Sequence, residues 1–138
     1  MKKLLFLLTS LVFNYGTSSA QVGIGAWRDY LPYSNVKVVC DAGDRIYGAT
    51  EYSVLEVDKA SGELYRLSKI TGLTETGVTA MGFHKATNTL LIGYEDGNID
   101  LVIAGNVINV ADILRANIIA DKGIYNVHFY KNEAFLSC

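Results

Sequence analysis

A short strand-like pattern recurs in this chain at a constant spacing, and that spacing limits the available folds more than any other feature. The pattern reads DRIYGAT from residue 44, NTLLIGY from residue 88 and NEAFLSC from residue 132, so its copies stand 44 residues apart. A single repeat of this kind cannot bury its own hydrophobic face and becomes stable only when neighbouring repeats cover it. The sequence therefore predicts an array of similar units.

A second β-like run precedes each copy of the pattern, and two further runs follow each of the first two copies. The preceding runs are VKVVC, VTAMGF and IYNVHF; the following runs are SVLEV with ELYRL, and NIDLVI with NVINV. Four short strands over 44 residues are typical of one propeller blade. Each complete unit is therefore predicted to be a blade.

We assign the chain to the all-β class, as a partial β-propeller of about two and a half four-stranded antiparallel blades. The predicted limits are about 36–67 for blade 1, 78–110 for blade 2 and 124 onward for a partial blade 3. The first strands, 36–40, 78–83 and 124–129, are expected to lie innermost in successive sheets. The alternative is a generic β-sandwich in which the spacing arises by coincidence.

Polar and glycine residues between these runs predict the hairpins. Asp96-Gly97 separates two apolar runs, and this dipeptide favours a two-residue type I′ turn, in which both central residues have positive φ. Residues 58–62 supply a polar turn between Val57 and Leu64. A short helix is predicted at 111–117, in the longer connection between the second and third blades.

Residues 1–20 have the layout of a cleaved secretory signal. Lys2 and Lys3 precede an apolar run, which ends in the small residues SSA. We predict cleavage between Ala20 and Gln21, which leaves residues 21–138 as the mature chain. The alternative, an uncleaved amino-terminal anchor, is disfavoured because the apolar run is short for a bilayer.

The charge balance of the chain excludes one class of partner. The formal net charge is −2, and removal of residues 1–20 takes away two lysines and no acid, which makes it −4. Nucleic-acid binding requires a basic stripe or patch, and the sequence has none. We therefore expect no nucleic-acid partner, and we expect that the mature chain is not an integral membrane protein.

Neither end of the predicted array forms a complete blade. Residues 26–30 read as an outer strand that could complete a blade formed by the other end of a ring; the alternative is a disordered tail. The chain ends at AFLSC, within the second strand of blade 3, whereas a propeller typically closes with at least four blades. We expect the chain to be the amino-terminal part of a longer protein.

Residues with catalytic or metal-binding potential are few. His84 and His128 fall on predicted strands with no third ligand at a fixed spacing, so we expect neither a metal site nor a catalytic residue. Cys40 and Cys138 belong to different blades, too far apart for a disulfide. The stretch YEDGNID lacks the first acid of an EF-hand loop, because Ile92 stands there. The glycines of 22–27 lack the third glycine of a dinucleotide-binding loop.

Several stretches resemble a known family. SGELYRLSKITGLTETGVTAM and NTLLIGYEDGNIDLV are similar to repeats of the two-component-regulator propellers, with Gly72-Leu73 in the loop between blades and Gly93 in the second strand. More narrowly, residues 26–138 resemble the PorZ-like amino-terminal propellers of the type IX secretion system of Bacteroidetes. The residues particular to that resemblance lie in the second connection: Asn109, Asp112-Ile113, Lys122 and Ile124.

The resemblance implies a non-catalytic interaction module of an exported protein, located in the periplasm or at the cell surface, without a cofactor. It implies protein partners in an attachment complex that joins secreted cargo to an anionic lipopolysaccharide. Relatives of this kind continue to a carboxy-terminal sorting domain, which this sequence does not contain. Two alternatives are a periplasmic glycan sensor of a hybrid two-component system and, less favoured, a propeller lyase. The sequence identifies no ligand-binding residue, although exposed tyrosines could stack on sugar rings.

Overall fold

The computed structural model describes residues 31–138, which form ten strands and one short helix. The strands are β1 Val38–Asp41, β2 Arg45–Ala49, β3 Ser53–Asp58, β4 Leu64–Ser68, β5 Val78–His84, β6 Thr89–Tyr94, β7 Ile99–Ile103, β8 Asn106–Val110, β9 Asn126–Tyr130 and β10 Glu133–Ser137, and the helix α1 is Asp112–Arg115. The predicted signal segment and the predicted strand at 26–30 lie outside the described residues.

The strands form three antiparallel sheets in chain order. β1 to β4 make the first sheet and β5 to β8 the second, each as a simple meander, and β9 pairs with β10 in the third. The first strands of the sheets are neighbours in space, since β1 contacts β5 and β5 contacts β9. This arrangement confirms the all-β class and the succession of blade-like sheets.

Two hydrophobic cores lie on opposite faces of the second sheet. The first core packs the first sheet against the second and includes Tyr47, Val54 and Ile92. The second core packs the second sheet against the third and includes Leu91 and Ile124. All six residues of β6 are buried because this strand is covered from both sides. The near-continuous apolar run of β6 follows from that double coverage.

The outer faces of the first and third sheets remain open within residues 31–138. Val39 is 66% exposed on the first sheet, and Tyr130 and Phe135 are 59% and 53% exposed on the third. Their neighbours along each strand, such as Cys40 and Phe129, point the other way and pack into the cores. Strand alternation thus places apolar side chains on faces that no described element covers.

The hairpin predicted around Asp96-Gly97 is present, but its predicted turn type is wrong. The β6–β7 loop has four residues, because the Tyr94 amide bonds the Asn98 carbonyl, and among its residues only Gly97 has positive φ. Asp96 instead accepts the Asn98 amide through Oδ1 at 2.9 Å, which favours this wider loop. The two-residue turn with positive φ at both positions occurs at Ala104-Gly105, between β7 and β8.

Candidate functional site

Two hairpin loops and the two connections between sheets meet at one end of the array, which we call the loop face. It consists of the β2–β3 loop (50–52), the β4–β5 connection (69–77), the β6–β7 loop (95–98) and the β8–β9 connection (111–125). Backbone hydrogen bonds join these segments in series: Gly77 N to Glu51 O at 2.7 Å, Glu95 N to Gly77 O at 3.1 Å, and Ile124 N to Tyr94 O at 3.1 Å. The loop face is therefore a continuous surface across the three sheets.

A buried carboxylate fixes the first connection to the second sheet. Asp100 is fully buried, and its Oδ2 accepts the Thr74 amide at 2.8 Å and the Tyr94 hydroxyl at 2.7 Å. Its Oδ1 accepts the Thr74 hydroxyl at 2.7 Å and the Asn109 amide group at 3.2 Å. Asn98 joins the network by donating to Thr74 Oγ1 at 2.8 Å. Burial, together with the hydrogen bond to Asp100, raises the pKa of Tyr94 far above its usual range, so its hydroxyl stays a donor.

Sequence reasoning missed this network. Asp100 stands among apolar residues of β7, and an acid in such a run is a sign of a buried polar contact. Its main partner, Thr74, lies 26 positions earlier in the chain, so no local pattern could identify the pair. Thr74 directly follows Gly72-Leu73, in which Gly72 has a φ of 126° and Leu73 is buried.

A cleft of about 540 Å³ opens on the loop face near the first strands. Its walls include Lys37, Glu51, Tyr52, Glu95 and Tyr125. Lys37 and Glu51 form an exposed ion pair at 3.4 Å. A second acidic group, Glu75 with Glu95 and Asp96, lines an adjoining depression. The cleft thus offers carboxylates and two half-exposed tyrosine rings.

The tyrosines of the cleft are donors rather than bases. Hydrogen bonding to Glu51 and the charge of that residue raise the pKa of Tyr52. The Tyr125 hydroxyl donates to Asp121 Oδ2 at 2.9 Å, and this contact likewise raises the pKa of Tyr125. Both phenols therefore stay neutral at physiological pH, and they are suited to hydrogen bonding and stacking.

A groove of about 750 Å³ separates the first two sheets away from this cleft. Arg45, Tyr47, Tyr65 and Arg66 are among its lining residues. Arg45 Nη1 bonds Glu56 Oε1 at 2.8 Å, and the guanidinium group of Arg66 lies 5.3 Å from the ring centroid of Tyr33. The groove thus contains two guanidinium groups, together with the carboxylates of Glu56 and Asp58.

The structure gives the two histidines different surroundings. His84 Nε2 lies 2.7 Å from Lys131 O, and Nδ1 lies 2.8 Å from Thr87 Oγ1, so this residue links the second sheet to the third. Its ring centroid is 5.0 Å from that of Phe129. His128 is exposed on β9, opposite Phe135. Within the described part of the chain, no three His, Cys, Asp or Glu side chains are grouped to hold a metal ion.

Both cysteines of the described residues are free thiols. Cys40 is half-buried in β1 and packs against the first core, and Cys138 is exposed. Burial raises the pKa of the Cys40 thiol, which makes it a poor nucleophile. In residues 31–138, no helix is long and apolar enough to cross a membrane.

Comparisons with known proteins agree with this architecture. The sequence model of the amino-terminal β-propeller domain of PorZ, a type IX secretion system protein, matches residues 46–138. The solved structure of PorZ from Porphyromonas gingivalis, described as an essential bacterial surface component of that system, is similar with a TM-score of 0.67 and 25% sequence identity. The similarity covers 72% of this chain but only 14% of the PorZ chain, and no curated protein sequence matches. Since the family match spans more than half of the sequence, this chain belongs to the PorZ amino-terminal β-propeller domain family.

Proposed function

We propose that this chain is a non-catalytic interaction module of an exported protein that serves in the attachment complex of a type IX secretion system. The family match over residues 46–138 carries the proposal. It favours this function over the periplasmic glycan sensor of a hybrid two-component system.

The local chemistry of the described residues supports binding rather than catalysis. The Asp100 carboxylate already accepts four hydrogen bonds from the protein, and its donors Thr74 and Tyr94 serve the fold. His84 is likewise engaged through both ring nitrogens. The loop face also exposes tyrosine rings and apolar side chains, and aromatic residues are enriched at protein interfaces.

The proposed partners are protein components of the attachment complex and the anionic lipopolysaccharide to which such a complex would join its cargo. The carboxylates of the loop face repel an anionic polymer, whereas in the groove between the first two sheets Arg45 and Arg66 balance Glu56 and Asp58. We therefore expect protein contacts at the loop face and any lipopolysaccharide contact at the groove.

Export is expected to remove residues 1–20. The small residues before Gln21 and the apolar run behind them favour cleavage after Ala20. Mass spectrometry of the cell-associated protein should find Gln21, in free or cyclised form, at the amino terminus. Retention of Met1 or Lys2 on a cytoplasmic product would contradict the proposed export.

Loss of the protein is expected to release secreted cargo from the cell surface. In the bacterium that makes it, deletion of the gene should move type IX cargo from the surface to the periplasm or the medium. Restoring the full gene should restore surface cargo, and this can be measured by protease accessibility on intact cells. The matched control is a complementing gene whose product carries Lys85→Gln, a change of an exposed residue in the β5–β6 loop that should restore cargo fully.

Two results would contradict the proposed function. Surface cargo that is unchanged by the deletion would exclude a role in attachment. Unchanged cargo combined with lost transcriptional responses to added glycans would instead favour the sensor.

A further inference from the structure

The β8–β9 connection presents an apolar tip to solvent. Ile119 is fully exposed, Ile118 is 50% exposed and Leu114 is 36% exposed. We call these three side chains the isoleucine tip. Adjacent β-branched residues exposed on a loop are unusual unless something covers them, because about 1.5–3 kcal/mol is gained when each such side chain is buried.

The protein holds this connection at several points. Lys122 Nζ donates to Leu114 O at 2.9 Å, and the Ala116 amide bonds Ile113 O at 3.1 Å. Ile113 packs into the second core. At Gly97, a Cβ atom would lie 2.8 Å from Lys122, so the connection rests directly on the β6–β7 loop. The two ends of the connection are therefore anchored to the second sheet, which reduces the conformational entropy that is lost when the isoleucine tip binds.

We propose that the isoleucine tip is a docking anchor that inserts into an apolar pocket of a protein partner, and that basic residues surround this pocket. The charge of the loop face indicates which residues should surround the pocket of the partner. Its segments contain six acids and three basic residues: Glu51, Glu75, Glu95, Asp96, Asp112 and Asp121 against Lys69, Arg115 and Lys122. Lys69 is paired with Glu75 at 3.0 Å, and Glu51 with Lys37 at 3.4 Å. Four acids, Glu95, Asp96, Asp112 and Asp121, then stand against Arg115 and Lys122, so this part of the loop face stays acidic.

The same charges argue against a lipid surface as the occupant. Anchors that lie in a membrane interface combine apolar side chains with lysine, arginine and aromatic residues. The segment that carries the isoleucine tip is itself neutral, with Asp112 and Asp121 against Arg115 and Lys122, and the β6–β7 loop on which it rests adds Glu95 and Asp96. The tip therefore has no excess of positive charge to attract an anionic bilayer or an anionic lipopolysaccharide. A pocket with a basic rim is complementary to both its shape and its charge.

Photo-crosslinking from the tip tests the proposal on the full chain in the cells that make it. A benzophenone amino acid at position 119 should give one reproducible protein adduct, whereas the same group at the exposed Asn106 on β8 should not. The double change Ile118→Ser and Leu114→Ser should lower the yield about tenfold, because apolar burial is lost. Asp112→Lys with Asp96→Lys should lower it similarly, while Asp44→Lys in the β1–β2 loop should leave it unchanged.

A vesicle assay provides the second arm. The purified chain is mixed with phosphatidylcholine vesicles, with and without phosphatidylglycerol, and centrifuged in a flotation gradient. We expect the protein to float with neither kind of vesicle. Flotation that is lost on Ile119→Ser, or a lipid adduct in the cells, would overturn the proposal in favour of a membrane. An adduct to a second copy or within the same chain, or no adduct, would overturn it as well. Such outcomes would leave the proposed secretion role standing, since another face could serve it.

Discussion

Replacing Gly93 with valine is expected to detach the third sheet from the second and to lower the free energy of unfolding by about 3 kcal/mol. A Cβ atom at this position would lie 2.7 Å from Ile124 Cγ2, and Ile124 is fully buried. The backbone cannot retreat easily, because Ile124 N bonds Tyr94 O and Ile124 O accepts the Thr79 hydroxyl. Urea denaturation followed by circular dichroism measures the change.

A double-mutant cycle separates this contact from general strain. Gly93→Ala and Ile124→Ala should each destabilise the protein, but the new methyl group fits the space that Ile124→Ala leaves. Their combined effect should therefore be at least about 1 kcal/mol smaller than the sum of the single effects. Strict additivity would contradict the close packing of the two residues.

Replacing Asp100 with asparagine is expected to lower the free energy of unfolding by about 3 kcal/mol, since buried donors lose an acceptor. Each carboxylate oxygen accepts two hydrogen bonds, so an amide NH₂ in place of either oxygen faces two donors. In one orientation of the amide the Thr74 amide and the Tyr94 hydroxyl lose their acceptor, and in the other the Thr74 hydroxyl and the Asn109 amide group lose theirs. Urea denaturation of the full chain again gives the magnitude.

The matched control is Asp112→Asn, which alters an exposed acid on the same side of the molecule. It should change the free energy of unfolding by less than about 0.5 kcal/mol. A loss below about 1 kcal/mol for Asp100→Asn would mean that the network contributes little and that Thr74 is held by other contacts.

The strands were predictable from the sequence because each depends on local alternation and on the repeat. The turn at Asp96-Gly97 was not, because the side chain of Asp96 stabilises a wider loop that propensity alone does not distinguish. The narrow turn at Ala104-Gly105 was missed because alanine rarely adopts the φ of 49° that it has there.

The candidate site was less predictable than the fold. The loop face depends on which loops become neighbours when the sheets stack, and contacts such as Gly77 with Glu51 join segments far apart in sequence. The repeat predicts that the sheets stack but not which side chains stand at their ends. The short helix was predicted at 111–117 and is present as Asp112–Arg115, whereas the exposure of Ile118 and Ile119 follows only from the conformation of the chain after it.

The double coverage of β6 has a consequence for how the molecule opens. A backbone amide exchanges with solvent when its element separates from its neighbours, and the free energy of that separation grows with the apolar area exposed. The second sheet must lose contacts on both sides, whereas the first and third sheets each need to lose one core. The second sheet is thus the last cooperative unit to open. The two-stranded third sheet, which is linked to the second by Ile124 and His84, can separate from it in a sub-global unfolding step.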